Sequence, residues 1–229
     1  MSLVVDLRLW HVDRVGPALA RMATGRRHLR GRPGLRFAKL LGTGRGRTFT
    51  VGDADPHHWA LLTVWDDIAA ADAGPDPRLL EPWDVAATEC LRVRMTPLTS
   101  RGRWAGRDPF AEPTGLVPPA HDGPVAAITR ARLRPTRAVS FWRAVPPVVA
   151  DVARAPGLRL AIGAGEAPVL LQGTFTLWES DRALTDFAYR TAAHRAVVAR
   201  TEAARWYAED LFARLAVHEV SGTYRGRQP

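Results

Sequence analysis

Apolar and polar residues follow the same succession of patterns twice along the chain. Residues 3–9 and 125–133 are short runs rich in β-branched and apolar residues, which predicts a strand at each place. Each run leads into a segment with helical spacing, residues 14–27 and 136–154, and a Pro-Gly pair ends both segments. The pattern therefore predicts a strand followed by a helix in each half of the chain.

A second group of elements follows each Pro-Gly pair. The next strand leads into a glycine-rich segment, residues 42–46 or 163–165, which we expect to be a turn between two strands. The third strand ends at Trp65 or Trp178, and a shorter helix and a last strand complete the series. The order strand, helix, strand, strand, helix, strand is that of the ferredoxin-like βαββαβ motif.

Short sequence repeats support a duplication. Residues 33–39 recur at 156–162, 63–66 at 176–179, and 103–107 at 223–227, always in the same order. The predicted fold is α+β: two duplicated ferredoxin-like (βαββαβ) units that form an α+β barrel within one chain. We expect a first half over 1–110 without a cofactor, a Pro-rich linker over 111–124, and a second half over 125–229 that holds the cofactor.

The two halves differ between the second helix and the last strand. Residues 72–89 contain three prolines, which argues against a long helix there. Residues 191–211 contain no Gly or Pro and are rich in Ala, Arg and Glu, so they predict a helix. Because a duplicated fold often keeps one working site, this difference directs attention to the second half.

Charge and composition exclude several classes of protein. The 229 residues carry a formal charge of +9, but Lys39 is the only lysine, which indicates a bias toward Arg over the whole chain rather than a nucleic-acid surface. Cys90 is the only cysteine, so a disulfide framework is excluded and a reducing compartment is expected. No apolar run approaches the roughly 20 residues that span a bilayer. We expect a cytoplasmic protein without a specific nucleic-acid partner.

Histidine is the first candidate for chemistry. His194 lies on one face of the predicted 191–211 helix, one turn from apolar residues, and such an imidazole can be the axial ligand of a haem iron. A packed or solvated histidine is the alternative, and it stays open on these grounds. Arg190, one turn earlier, could pair with a propionate. His11 and Asp13 could transfer protons, but Asp13 directly precedes the first helix and we favour it as the helix N-cap.

Alternation along the third strand of the second half separates two faces. Gln172, Thr174, Thr176 and Trp178 share one face, and its mixed polarity is typical of a cavity wall. A sheet surface that faces water is the alternative for the same pattern. The tryptophan argues against full exposure.

Several long runs resemble the spheroidene monooxygenase family of carotenoid biosynthesis. In the second half these runs are residues 141–148 (FWRAVPPV), 163–168 (GAGEAP), 172–178 (QGTFTLW) and 187–190 (FAYR) with His194. In the first half they are residues 34–44 (GLRFAKLLGTG) and 102–110 (GRWAGRDPF). The resemblance covers nearly the whole chain. The chain departs from the family's usual pattern at Ala164 and Gly173 and after Asp72.

The resemblance implies a haem-dependent monooxygenase that inserts oxygen into a C–H bond of a small hydrophobic substrate, a carotenoid or another natural-product intermediate. It implies haem b with His194 as the iron ligand, molecular oxygen and an external electron donor. The residues expected around the haem are Arg190, Phe141, Trp142 and Tyr189, and the expected catalytic residues are Gln172 and Arg143. Peripheral membrane association and a homo-oligomer stay open.

Three other functions stay open beside the monooxygenase. The first is a haem-dependent dehydratase or lyase of the aldoxime dehydratase type, which shares a similar fold. The second is a non-catalytic carrier of haem or of an apolar ligand. The third is a cofactor-free monooxygenase, which applies if His194 is merely packed.

Overall fold

The computed structural model describes residues 2–29, 31–46, 51–111, 121–166, 171–190 and 204–229, with the backbone alone at 51, 145–150 and 189–190. The strands are β1 (Val4–Val12), β2 (Leu35–Gly44), β3 (Ala54–Trp65), β4 (Ala87–Gly102), β5 (Val125–Leu133), β6 (Leu158–Gly165), β7 (Leu171–Trp178) and β8 (Tyr207–Gly222). The helices of the described residues are α1 (Val15–Gly25), α2 (Ile68–Ala73), α3 (Pro77–Ala86), α4 (Ala138–Ala153) and α5 (Asp181–Arg190). The fold is therefore mixed α+β, as the sequence predicts.

The strands form a closed antiparallel barrel in the order β1-β3-β2-β6-β7-β5-β8-β4. Within each half the last, first, third and second strands are neighbours in that order, β4-β1-β3-β2 and β8-β5-β7-β6. The halves join where β2 pairs with β6 and where β4 pairs with β8. Every strand consequently has a neighbour on both sides, and the barrel has no free edge.

Strand alternation fills the barrel with apolar side chains. Leu3, Val5, Leu7 and Leu9, on and just before β1, point inward and are buried. Matching inward positions on the other strands complete one core cluster that includes residues of both halves. The opposite face of each strand therefore lies under the helices or faces solvent.

The two glycine-rich segments predicted as turns are strand ends instead. Gly42 pairs with Gly165 and Gly44 with Gly163, so the ends of β2 and β6 form the seam between the halves. A turn prediction from glycine content was wrong here because pairing with the other half, distant in sequence, extends both strands. Just after β2, Gly46 at φ 71° approaches the other half closely, since a Cβ there would lie 2.6 Å from the carbonyl oxygen of Ala161.

Helix predictions near the ends of elements need two corrections. Asp13 is not the N-cap of α1, because Arg14 occupies that position without a side-chain hydrogen bond. Within the 72–89 stretch α3 is ten residues long; Pro77 stands in its first turn, where a backbone N–H has no partner inside the helix, and Asp76 accepts a hydrogen bond from the Arg78 amide. Residues 207–211 of the predicted 191–211 helix belong to β8; Arg205, at φ 47°, precedes that strand.

A tight turn closes the barrel at each end. The turn after β4 inserts the buried Trp104, and the turn after β8 inserts the buried Tyr224. The carboxylate of Glu209 accepts the Ala105 amide at 3.1 Å and the Gly106 amide at 2.8 Å. Glu89 holds the second turn in the same way, through the amides of 225 and 226 at 2.8 and 2.6 Å.

Candidate functional site

Two of the predicted site residues meet on the outer face of the second half. Trp142 on α4 directs its indole N–H at the Oε1 of Gln172 on β7, at 3.4 Å. Both side chains are half-buried. An indole N–H can only donate, so the oxygen of the Gln172 amide faces Trp142 and its NH₂ group faces elsewhere.

Phe141 borders the same region through contacts with aromatic residues that precede or begin β8. Its ring centroid lies 5.7 Å from that of Trp206 and 5.8 Å from that of Tyr207. Trp206 is fully buried and donates to the hydroxyl of Ser140 at 2.9 Å. Sequence reasoning missed Trp206 because it placed the residue inside a helix that continues to 211; the aromatic pair before an alternating strand was the available signal.

The remaining predicted residues lie elsewhere or outside the described part. Arg143 is exposed on α4, and no hydrogen bond or ion pair between described residues joins it to Gln172. Tyr189 and Arg190 end α5, where only the backbone is described. His194 lies outside the described residues.

Strand registers show which positions of the two halves correspond. Trp65 pairs with Val4 in the first half, and Trp178 pairs with Val125 in the second. The pair Trp10–Trp59 lies six residues along the strands from the first of these pairs, and the pair Ala131–Gln172 lies six residues from the second, so the two correspond. In the same way Leu40–Leu61 corresponds to Gly163–Thr174. Large side chains of the first half therefore stand where the second half has small or polar ones.

In the first half this outer face is filled. Trp10, Trp59, Leu40 and Leu61 are all buried, and they form a cluster with Trp83 of α3. The rings of Trp10 and Trp83 stack with centroids 5.4 Å apart. This packing leaves no room for a flat ligand between the helices and the sheet.

In the second half the corresponding positions hold small or polar residues, which we call the shelf: Ala131, Gly163, Gln172 and Thr174. Ala131 and Gly163 are buried, Gln172 and Thr174 are half-buried, and Trp142 borders the shelf. The apolar cluster that packs behind the second-half helices lies at the other end of the sheet, around Val125, Trp178 and Leu184. The shelf could hold a flat, largely apolar molecule.

A second group of ionisable side chains lies at the barrel end closed by Tyr224. The Nδ1 of His58 lies 3.0 Å from Asp55, and its ring centroid lies 4.7 Å from that of His11 and 4.9 Å from that of Tyr224. Burial lowers the pKa of His58 despite the neighbouring carboxylate. Burial alone would raise the pKa of Asp55, but His58 and hydrogen bonds outweigh it and keep that pKa low.

An ion network lies inside the barrel near Trp104. Glu166 binds Lys39 and accepts hydrogen bonds from Arg130 and from the Trp104 indole, both at 3.0 Å. Arg130 also binds Glu209. Burial raises the pKa of Glu166, but Lys39, Trp104 and Arg130 outweigh burial and lower it below its usual value. Lys39 and Glu166 belong to different halves, so this network joins them.

The described residues hold neither a metal-binding cluster nor a membrane-spanning helix. They contain no group of three or more His, Cys, Asp or Glu side chains arranged to hold a metal ion. None of their helices combines the length and the apolar character that crossing a bilayer requires.

Comparison with known proteins gives the family. No family model matches the chain. The chain is 32% identical over 230 residues to a spheroidene monooxygenase of Rhodobacter capsulatus, covering 99% of this chain and 95% of that protein. It is 37% identical over 232 residues to a spheroidene monooxygenase of Rubrivivax gelatinosus, covering 99% of this chain and 84% of that protein.

Solved structures show a similar fold. A crystal structure of an aldoxime dehydratase has a TM-score of 0.57 at 10% identity and covers 95% of this chain and 81% of that one. An aldoxime dehydratase in complex with butyraldoxime has a TM-score of 0.56 at 9% identity, with 95% and 79% coverage. At such identities the likeness concerns the fold alone. The full-length sequence identities show that the chain belongs to the spheroidene monooxygenase family.

Proposed function

We propose that the chain is a haem-dependent monooxygenase whose haem b lies on the second-half shelf. The observation that carries the proposal is the exchange of Trp10, Trp59, Leu40 and Leu61 for Ala131, Gln172, Gly163 and Thr174 between corresponding positions. The names of the relatives support the reaction class. The aldoxime dehydratases support no more than the fold.

The described residues fit a flat macrocycle. Ala131 and Gly163 have no side chain beyond Cβ, so a planar group can approach the sheet closely. Phe141, Trp142 and Tyr189 are proposed as its aromatic wall, Arg190 as a propionate partner and His194 as the iron ligand. When bound, haem supplies the activation of molecular oxygen.

Gln172 is, beside Thr174, a polar residue of the shelf. Because Trp142 occupies the amide oxygen, the NH₂ group of Gln172 remains to donate a hydrogen bond to a polar atom of a bound molecule. A fixed donor of this kind stabilises negative charge without reorganisation. We assign Trp142 the role of a positioning residue for Gln172. Arg143 lies exposed on the outer surface of α4.

The overall reaction balances with an external donor. One oxygen atom of O₂ enters a substrate C–H bond to give C–OH, and the other leaves as water after uptake of two electrons and two protons. The relatives' names point to a carotenoid or a similar apolar molecule as the substrate. An external reductant supplies the electrons.

The proposal extends to the architecture. We infer that the two halves are copies of one ferredoxin-like unit, with boundaries 1–110, 111–124 and 125–229, and that the first copy lost its cavity when tryptophans filled it. The homologous pairs Glu89 and Glu209, and Trp65 and Trp178, support this inference.

An oxygen-labelling experiment tests the reaction. The haem-loaded protein is given a reductant, ¹⁸O₂ and spheroidene, and the product is analysed by mass spectrometry. We expect ¹⁸O in the product for the unmodified chain and a strongly reduced yield for Gln172→Leu. Conversion of an aliphatic aldoxime to a nitrile without oxygen, with no labelled carotenoid, would instead establish the dehydratase alternative.

A further inference from the structure

The start of α4 carries an exposed basic surface beside the shelf. Residues 123–150 contain five arginines and no Asp or Glu. One of them, Arg130, faces the barrel interior and binds Glu166 and Glu209. The other four are exposed, as is Arg205 before β8. We call the exposed group the α4 surface: Arg132, Arg134, Arg137, Arg143 and Arg205.

These arginines lie close together because β5, α4 and β8 begin or end at the same place. The backbone N–H of Arg134 donates to the carbonyl of Trp206 at 2.8 Å, and its Nε donates to the carbonyl of Tyr207 at 3.1 Å. Arg132 lies 4.0 Å from Glu209, which already binds Arg130. Among described residues no carboxylate forms an ion pair with the other four arginines of the surface.

An apolar side chain projects from the middle of this basic surface. Val139 is 57% exposed in the first turn of α4, with Arg137 just before it and Arg143 one turn later on the same helix face. The half-buried Phe141 lies behind it, against Trp206 and Tyr207. Arginines around an exposed apolar residue are the pattern of a peripheral membrane contact, where the cations meet anionic headgroups and the apolar group enters the interface.

We propose that the α4 surface docks on an anionic phospholipid bilayer and thereby opens the shelf toward lipid. The proposal rests on the proposed function in one respect, because a long apolar substrate resides in the bilayer and must enter beside Phe141. The cations and the apolar contact come from the arginines and Val139, but the choice of this surface over α1 rests on the shelf beside it, because residues 14–52 also contain nine arginines, one lysine and no Asp or Glu. Arginine stems lie along apolar surface while their guanidinium groups reach the headgroups.

The first half offers a matched control. Arg14 and Arg26 are exposed near the ends of α1, and Leu19 between them is 55% exposed, close to the value for Val139. Exchanging Arg14 and Arg26 for Gln changes the net charge as much as exchanging Arg137 and Arg143. The α1 side has a closed, tryptophan-filled interior beneath it, so docking there would serve no ligand.

Sedimentation with vesicles tests the proposal on the full chain. Vesicles of phosphatidylcholine with phosphatidylglycerol are compared with vesicles of phosphatidylcholine alone. Each arginine at an anionic surface strengthens binding about fivefold, so Arg137→Gln with Arg143→Gln should weaken it about 25-fold. Arg14→Gln with Arg26→Gln should leave it within about twofold of the unmodified chain. Val139→Asp should weaken binding, and Leu19→Asp should not.

Four results would overturn the proposal. The first two are failure of the unmodified chain to sediment with the anionic vesicles and equal binding to both vesicle types. The third is an equal loss of vesicle binding in the α4 and α1 variants. The fourth is a change of molecular mass in the α4 variant, which would make the surface a contact between copies of the chain. Haem binding is measured separately by absorption. A chain that docks through α4 yet takes up no haem refutes the proposed function and leaves the docking surface intact.

Discussion

Gln172 occupies in β7 the position that Trp59 occupies in β3. Gln172 lies six residues before Trp178, and Trp59 lies six residues before Trp65. The partner across the strand pair is Ala131 for Gln172 and Trp10 for Trp59. One barrel therefore presents a filled outer face in its first half and a shelf in its second. This single difference explains why a cofactor is proposed for one half alone.

Filling the shelf should prevent haem uptake without unfolding the chain. Gln172→Trp and Thr174→Leu introduce the residue types of Trp59 and Leu61, which pack well in the first half. We expect haem affinity to fall at least about tenfold, a loss of about 1.4 kcal/mol, with the thermal midpoint unchanged or raised. Haem titration followed by absorption measures the affinity, and calorimetry measures the thermal midpoint.

A substitution on the exposed turn of the same half, Thr136→Trp, is the control for this prediction. It adds the same side chain away from the shelf and should leave haem affinity unchanged. Full haem affinity in both shelf variants would show that the cofactor lies elsewhere.

The tryptophan cluster of the first half should stabilise the fold without contributing to haem binding. Trp83 is fully buried and stacks on Trp10. Trp83→Ala should lower the free energy of unfolding by about 3–5 kcal/mol because it leaves a cavity in a packed cluster. Urea denaturation measures the loss. A folded Trp83→Ala variant that no longer takes up haem would place the cofactor in the first half.

Lys39 should be a strong determinant of stability despite being a single lysine among arginines. Its ammonium group binds Glu166 inside the barrel. Lys39→Met leaves Glu166 with fewer cationic partners, and removing one member of a largely buried pair costs about 3 kcal/mol. Lys39→Arg should recover part of that loss. Equal urea midpoints for the unmodified chain and Lys39→Met would contradict the role of this pair.

The turns that close the barrel should loosen in acid. Burial raises the pKa of Glu209, but the amides of Gly106 and Ala105 and the Arg130 side chain lower it overall. A carboxyl whose pKa is lower in the folded chain contributes stability above its unfolded value, about 4.3, and loses it as pH falls through the folded value. The same sign applies to Glu89.

Glu209→Gln should therefore lower stability at neutral pH and flatten its fall in acid. Thermal midpoints measured from pH 7 downward check this expectation, and Glu89→Gln provides the corresponding variant at the other turn. A midpoint that falls as steeply in Glu209→Gln as in the unmodified chain would show that this carboxylate does not hold the turn.

The sequence predicted the order of elements because each depends on neighbouring residues. The Pro-Gly pairs and the strands ending at Trp65 and Trp178 lie where the patterns place them. Pairing between distant segments could not be read in the same way. The glycine-rich 42–46 segment was predicted as a turn, whereas its first three residues pair with β6 across the seam.

The candidate site was predictable in part. Gln172 was singled out by strand alternation and Trp142 by the family resemblance, and the structure brings the two side chains into contact. Trp206 was missed because helix propensity concealed the start of β8. Strand alternation placed Gln172 and Thr174 on a cavity wall, but Ala131 and Gly163 were missed, since small residues become informative only when strand registers identify their large counterparts in the first half.

Haem titration of the unmodified chain and of His194→Ala tests whether the second half binds haem through His194. We expect a one-to-one complex with a Soret band for the unmodified chain. In His194→Ala we expect weaker binding and altered ferric and ferrous–CO spectra, which imidazole restores by occupying the vacated position. His121→Ala, in the linker before the second half, should behave like the unmodified chain. Unchanged affinity and spectra in His194→Ala, or no Soret band in any variant, would contradict the account.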